Sequence, residues 1–185
     1  MTELTFEAWP KIARLNRDCV ITEKIDGTNA AVIVTPDGGI GAQSRSRLIT
    51  PDDDNFGFAR WVYENSEPLA LALGPGRHFG EWWGSGIQRG YGLAKGEKRF
   101  SLFNVNRYAA VDFDDLPGVS LVPTLYSGPF TTHTVSRVVA ELRQGGSVAA
   151  PGFMRPEGVV VFHTAAQTVF KVTVEKDEAP KGIAS

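Results

Sequence analysis

Lys24 and Asp26 stand two residues apart in the stretch Glu23-Lys24-Ile25-Asp26-Gly27-Thr28-Asn29. In an extended strand alternate side chains share a face, so the amine of Lys24 and the carboxylate of Asp26 point together while Ile25 packs the other way. Gly27 then permits a tight turn or the close approach of a ligand. An unprotonated amine can attack phosphorus or carbonyl carbon, and a partly buried lysine near other cations sheds its proton more readily. A lysine in such a place can be a covalent nucleophile. Alone the pattern is weak, because Asp-Gly is a common turn dipeptide and most Lys-x-Asp-Gly runs are a surface lysine ahead of a β-turn.

The elements around this stretch read as follows. Residues 19–24 and 30–35 form two β-branched strands, and Pro36-Asp37-Gly38-Gly39 turns the second into a third over residues 40–44, an opening antiparallel meander. Apolar residues at helical spacing from Asn55 to about Leu73 predict a helix, with residues 52–55 supplying its cap and Pro68 a point where it breaks. Further strands are expected at residues 78–82, 100–105, 120–123, 158–163 and 168–174. A second helix is expected over about 135–144, capped by Thr134 and closed by Gly145. Two helices on mostly antiparallel sheets make the fold class α+β.

The chain has 185 residues, 42% hydrophobic and 22% charged, the balance of one folded domain rather than of a disordered segment or a coiled coil. A net charge of -2 denies it the basic excess of a protein that holds nucleic acid chiefly by its phosphates, so any such contact must be local. Cys19 is the only cysteine, which excludes internal disulfides and cysteine-cluster zinc sites. His78, His133 and His163 lack metal-ligand spacing, and no Gly-rich stretch has the context of a P-loop. No apolar run approaches the roughly 18 residues that span a bilayer, and the first residues lack the apolar centre of an export signal, so neither membrane insertion nor export is expected.

The order of the later segments changes the weight of Lys24. The lysine stretch resembles the lysine motif of ATP-dependent RNA ligases, members of the covalent nucleotidyltransferase superfamily. Gln43-Ser44-Arg45-Ser46 resembles their arginine segment, and Phe79-Gly80-Glu81-Trp82-Trp83-Gly84 their central glutamate motif. Phe100-Ser101-Leu102-Phe103-Asn104-Val105 is similar to the aromatic strand over the adenine. Glu157-Gly158-Val159-Val160-Val161 is similar to the second glutamate motif, and Phe170-Lys171-Val172 to the terminal lysine motif. Gly86-Ile87-Gln88, with Glu-Lys-Ile-x-Gly-Thr-Asn, most resembles the phage double-strand RNA ligase branch.

This resemblance, over about residues 20 to 174, implies an ATP-grasp-like adenylation domain of mostly antiparallel sheets, residues 1–185 being one minimal nucleotidyltransferase domain without a separate C-terminal one. It implies that Lys24 attacks the α-phosphate of ATP and that Lys171 binds that phosphate. Arg45, in preference to Arg47, contacts sugar or phosphate, Glu81 the ribose hydroxyls, and Phe103 the adenine ring. Asn29 lies beside the reacting phosphate, with Asp26 at the position where close phage relatives have histidine. Glu23 meets the adenine amino group, though strand alternation points it away from Lys24. Glu157 helps hold Mg2+ or Mn2+. The implied reaction joins 5′-phosphate and 3′-hydroxyl ends of nicked or annealed RNA, in the cytoplasm and, for a phage-encoded protein, in the host's. A monomer is expected, with an accessory protein to help grip the strand. Transfer of AMP to another acceptor, and a non-catalytic nucleotide or strand-end-binding module, remain as alternatives. Thr173 stands where a second lysine is usual, with Lys176 a nearby substitute, and Arg45, Arg47, Arg89, Lys95, Lys98 and Arg99 are the expected cations for the strand.

Overall fold

A computed structural model describes residues 4–116 and 118–175. In chain order these form β1 (Asp18–Lys24), β2 (Thr28–Val34), β3 (Ile40–Ser44), β4 (Leu48–Ile49), α1 (Phe58–Glu64), α2 (Ser66–Leu73) and β5 (Gly76–Gly84). They continue with β6 (Lys98–Leu102), β7 (Val119–Leu121), β8 (Thr124–Pro129), α3 (Thr132–Gly145), β9 (Gly158–His163) and β10 (Thr168–Thr173). The fold is α+β, as expected, with two sheets in strand orders β10-β9-β1-β8 and β4-β3-β2-β5-β6-β7. All neighbours are antiparallel except β6 and β7.

The expected opening meander is corrected. β2 and β3 do form the hairpin, but β1 belongs to the other sheet, between β8 and β9. Residues 25–27 carry the chain across. The backbone there is satisfied by groups from elsewhere: the Asp26 N–H donates to Tyr91 Oη at 2.8 Å and the Gly27 N–H to Glu81 Oε1 at 3.0 Å.

The first helical stretch breaks at Asn65 rather than at Pro68, which sits in the first turn of α2, where its missing N–H costs nothing. Asp54 supplies the expected cap, accepting from the Ala59 and Arg60 N–H groups. Thr131, not Thr134, caps α3, its hydroxyl accepting the Thr134 N–H at 2.9 Å. Phe58, Val62 and Leu69 of α1 and α2 cover Ala30, Val32, Trp82 and Phe100 on one face of the larger sheet. Val135, Val138 and Leu142 of α3 cover Cys19, Ile21, Val159 and Val161 on one face of the smaller. Among the described residues each sheet keeps one face without a helix.

A Cβ on Gly27 would lie 2.4 Å from the Trp82 carbonyl oxygen, which is backbone of β5 and cannot swing away. Gly27→Ala should therefore cost about 1–3 kcal/mol of stability by urea denaturation. Gly145→Ala, with open space around its Cβ at the end of α3, should be neutral or gain up to about 1 kcal/mol.

Candidate active site

Lys24 ends β1, directly opposite Gly158, which in turn lies opposite Thr173 of β10. With no side chain at Gly158 the strands close tightly, since a Cβ there would lie 2.1 Å from the Val172 carbonyl oxygen. Glu157 is thereby brought beside Lys24, whose Nζ donates to Glu157 Oε2 at 2.6 Å. Both side chains are largely buried, 25% and 18% exposed, so the pair is a fixed feature rather than a transient surface contact.

Cross-strand partners share a face, which places Lys171, opposite Val160 and so in line with Thr22, on the same helix-free face as Lys24, where it is exposed. Thr173 shares that face as well, its hydroxyl donating to the Glu175 carbonyl at 2.9 Å. Lys176 lies outside the described residues.

On the larger sheet the helix-free face carries Phe79 and Glu81 of β5, and Asn29 of β2 directly across from Glu81. Glu81 is close enough to Lys24, Glu157 and Asp26 to feel all three charges. Burial pushes its carboxyl up to about 7; the Gly27 N–H and Lys24 oppose the rise, and Glu157 and Asp26 add to it. Phe103, one residue past β6, bonds through its N–H to the Phe79 carbonyl at 3.0 Å, and the two residues are 39% and 44% exposed. Arg45 is exposed at the turn after β3 and, among the described residues, forms no ion pair, whereas Arg47 is held by Asp53.

Lys24, Asp26, Glu81 and Glu157 are thus gathered, with Asn29 adjoining. The carboxylate of Glu23 is not. It turns to the face of α3, 1% exposed, and accepts from the Ser147 hydroxyl at 2.6 Å and from the Val148 and Ala149 N–H groups at 2.8 and 2.9 Å. The alternation read from the sequence holds, and the carboxylate ties the turn after α3 to β1, so a contact of Glu23 with an adenine would fall to its backbone. Trp82 and Trp83 are both buried; Trp82 packs under α1, and Trp83 reaches the wall of a concavity beside β6 and β7. Three of the cations expected to hold a strand have partners within the fold. Lys98 donates to the Phe56 carbonyl, Arg99 pairs with Glu97 over the Trp83 ring, and Arg89 pairs with Asp26; of the four cations in that segment only Lys95 is exposed.

Sequence reasoning passed over Tyr91, whose hydroxyl holds the segment after Lys24, and it offered no local signal for that role. Concavities of about 680 Å³ beside α3 and β10 and of about 780 Å³ beside β6 and β7 lack Lys24, Glu81 and Glu157 among their lining residues. Among the described residues no cluster of three or more His, Cys, Asp or Glu side chains is arranged as a metal cage, and no helix is long and apolar enough to cross a membrane.

The family model of RNA ligases matches residues 17–173, which include every one of these side chains. The chain belongs to the RNA ligase family. Among solved structures it is similar to three variants of a Naegleria gruberi RNA ligase, one with AMP and manganese and two with ATP and manganese. Their identities to the chain are 20%, 22% and 21%, and the TM-scores are 0.65, 0.65 and 0.66. The matches cover 86%, 89% and 87% of this chain and 50%, 52% and 51% of the ligase chains, so the RNA ligase fold is shared while this chain spans about half their length. No curated protein matches it by sequence.

The raised Glu81 carboxyl has a consequence for stability. Below its ordinary 4.5 the group is protonated folded or unfolded and contributes nothing. Between there and about 7 the native state keeps a proton that the unfolded chain has lost, so this group's contribution falls as pH rises, levelling off above 7. Glu81→Gln should therefore gain thermal midpoint relative to the parent from pH 5 to pH 8, and parallel midpoint curves would contradict the assignment.

Proposed function

We propose that this chain is the nucleotidyltransferase domain of an ATP-dependent RNA ligase that works through a lysyl-AMP intermediate. The observation that carries the reading is the Lys24–Glu157 pair at 2.6 Å, set beside Glu81 in an RNA ligase fold. In the first step Lys24 Nζ, as the free amine, attacks the α-phosphorus of ATP. The new P–N bond replaces the bond to the leaving pyrophosphate. AMP then passes to a 5′-phosphate, and attack by a 3′-hydroxyl expels it.

The other residues follow from their placement. Asn29 and Glu81 face the nucleotide, Glu81 accepting from ribose hydroxyls and Phe103 offering its exposed ring to the adenine. Arg45 and Lys171 meet sugar and phosphate oxygens. Asp26 sets the segment after the nucleophile. Glu157 fits one carboxylate of a Mg2+ or Mn2+ site completed by nucleotide oxygens and water, the usual way such ions are held without an all-protein cage. A cation there would offset charge on the phosphates.

The substrates in this reading are nicked or annealed RNA ends, as in the phage double-strand branch, in RNA repair in a cytoplasm. The protein acts as a monomer with an accessory protein helping to hold the strand. One observation favours a second reading, AMP transfer to another acceptor: Arg89, Lys98 and Arg99 each already have a partner in the protein, which leaves few uncommitted cations in that segment for a phosphate backbone. Incubation with labelled ATP, magnesium and nicked RNA separates the two. Sealed RNA supports the ligase, labelled protein without sealing supports the other acceptor, and unlabelled protein overturns both.

Lys24→Ala and Lys24→Arg should each reduce lysyl-AMP by about 10³-fold or more with the fold retained, since alanine lacks the amine and a guanidinium stays protonated. Intact-mass measurement of the folded variants checks this.

Glu81→Ala should raise the ATP concentration for half-maximal adenylation about 10-fold, the loss of a charged hydrogen bond. Glu157→Ala should instead raise the magnesium requirement. Separate titrations of ATP and magnesium distinguish them, and matching changes in both variants would refute the division of roles.

A further inference from the structure

Arg89 sits in the glycine-rich loop after β5, far in sequence from both of its partners. Its Nε donates to Asp26 Oδ2 at 2.8 Å and its Nη1 to the Arg155 carbonyl at 3.0 Å. Asp26 lies two residues after Lys24, and Arg155 two residues before Glu157. One guanidinium, carried by a loop of the larger sheet, therefore joins the two segments whose neighbouring residues form the Lys24–Glu157 pair in the smaller sheet. A planar fork fixes the directions of two acceptors at once, and a single ammonium does not.

The loop is built to hold that fork in place. Gln88 and Tyr91, on either side of it, adopt left-handed φ of 44° and 52°, a strained conformation for non-glycine residues that clusters where geometry is functional. Tyr91, 2% exposed and packed on Trp83 and Phe153, accepts the Asp26 N–H, so side chain and backbone of Asp26 are both held from this loop.

We infer that Arg89 is a positioning residue for lysine adenylation, setting Lys24 and Glu157 in register by bridging Asp26 to the Arg155 carbonyl. The inference rests on Lys24 being the nucleophile. It also removes Arg89 from the cations available to an RNA strand.

The test is single-turnover lysyl-AMP formation with ATP and magnesium in the full chain, comparing the parent with Arg89→Ala, Arg89→Lys, Asp26→Asn and the Arg89→Ala/Asp26→Asn double variant. Misplacement of about 1 Å at a reacting centre costs about 10²-fold, so Arg89→Ala should lose about that much in rate at saturating ATP. The ATP concentration for half-maximal rate should change less than about 3-fold, which separates positioning from binding. Arg89→Lys should recover little, and the double variant should fall no further than the worse single, as expected of two groups acting through one contact. A parent that forms no lysyl-AMP sinks the reading of Lys24 itself. A labelled parent with an Arg89→Ala variant of equal rate sinks only the role of Arg89. Additive losses in the double variant overturn the bridge, as does a drop in thermal midpoint large enough to account for the loss in Arg89→Ala and Arg89→Lys alike.

Discussion

Between Lys24 at the end of β1 and Thr28 at the start of β2, three residues must carry the chain from one sheet to the other. So short a crossing cannot satisfy its own backbone, and an unpaired buried N–H is costly. β5 and the loop after it supply what is missing: Glu81 takes the Gly27 N–H, Tyr91 takes the Asp26 N–H, and Arg89 takes the Asp26 carboxylate. The Trp82 carbonyl presses so close that only glycine fits at position 27. The contacts that permit the crossing also aim Lys24. Glu81 lies in the neighbourhood of Lys24 because it is already there holding the turn.

That economy crowds charge. Asp26, Glu81 and Glu157 gather around Lys24, with Arg89 as the second cation in contact with the group. Burial, with a smaller addition from the like charges of Glu157 and Asp26, raises the Glu81 carboxyl, and its hydrogen bond from Gly27 only tempers the rise. A triphosphate approaching three carboxylates meets repulsion unless further positive charge accompanies it. The arrangement therefore suits a nucleotide that arrives with a divalent cation, and the exposed Lys171 on the same face as Lys24 adds to that demand being met.

What could be read from the sequence was local. The β2–β3 hairpin, the strands at 158–163 and 168–173, and the helix after Thr131 follow from turn residues and periodicity, which depend on neighbours only. The partition into two sheets does not. β1 pairs with β8 and β9, more than a hundred residues downstream, and nothing in residues 18–34 distinguishes that from a meander. β8 escaped notice because Ser127, Gly128 and Pro129 lie within it, residues tolerated where one edge of the strand is unpaired. At the site, the residue types and their order were legible and their second partners were not. Alternation alone turned Glu23 away from Lys24, yet only the fold brings Ser147 to it across 124 positions.

The arginines and lysines make the same point about what charge is for in this protein. Read as composition, 19 basic residues among 185 invite a search for the stretch that holds a phosphate backbone, and the run from Arg89 to Arg99 is the densest. In the fold most of that run already has partners: Arg89 on Asp26, Lys98 on the Phe56 carbonyl, Arg99 on Glu97 and the Trp83 ring. A guanidinium committed to a carboxylate must give up that contact to neutralise a phosphate, so it adds less to salt-dependent affinity than an unpaired one. It can hold a segment of one sheet against a segment of the other, as Arg89 does between Asp26 and the Arg155 carbonyl. Where net charge is close to neutral, geometry rather than electrostatic attraction is what such residues contribute.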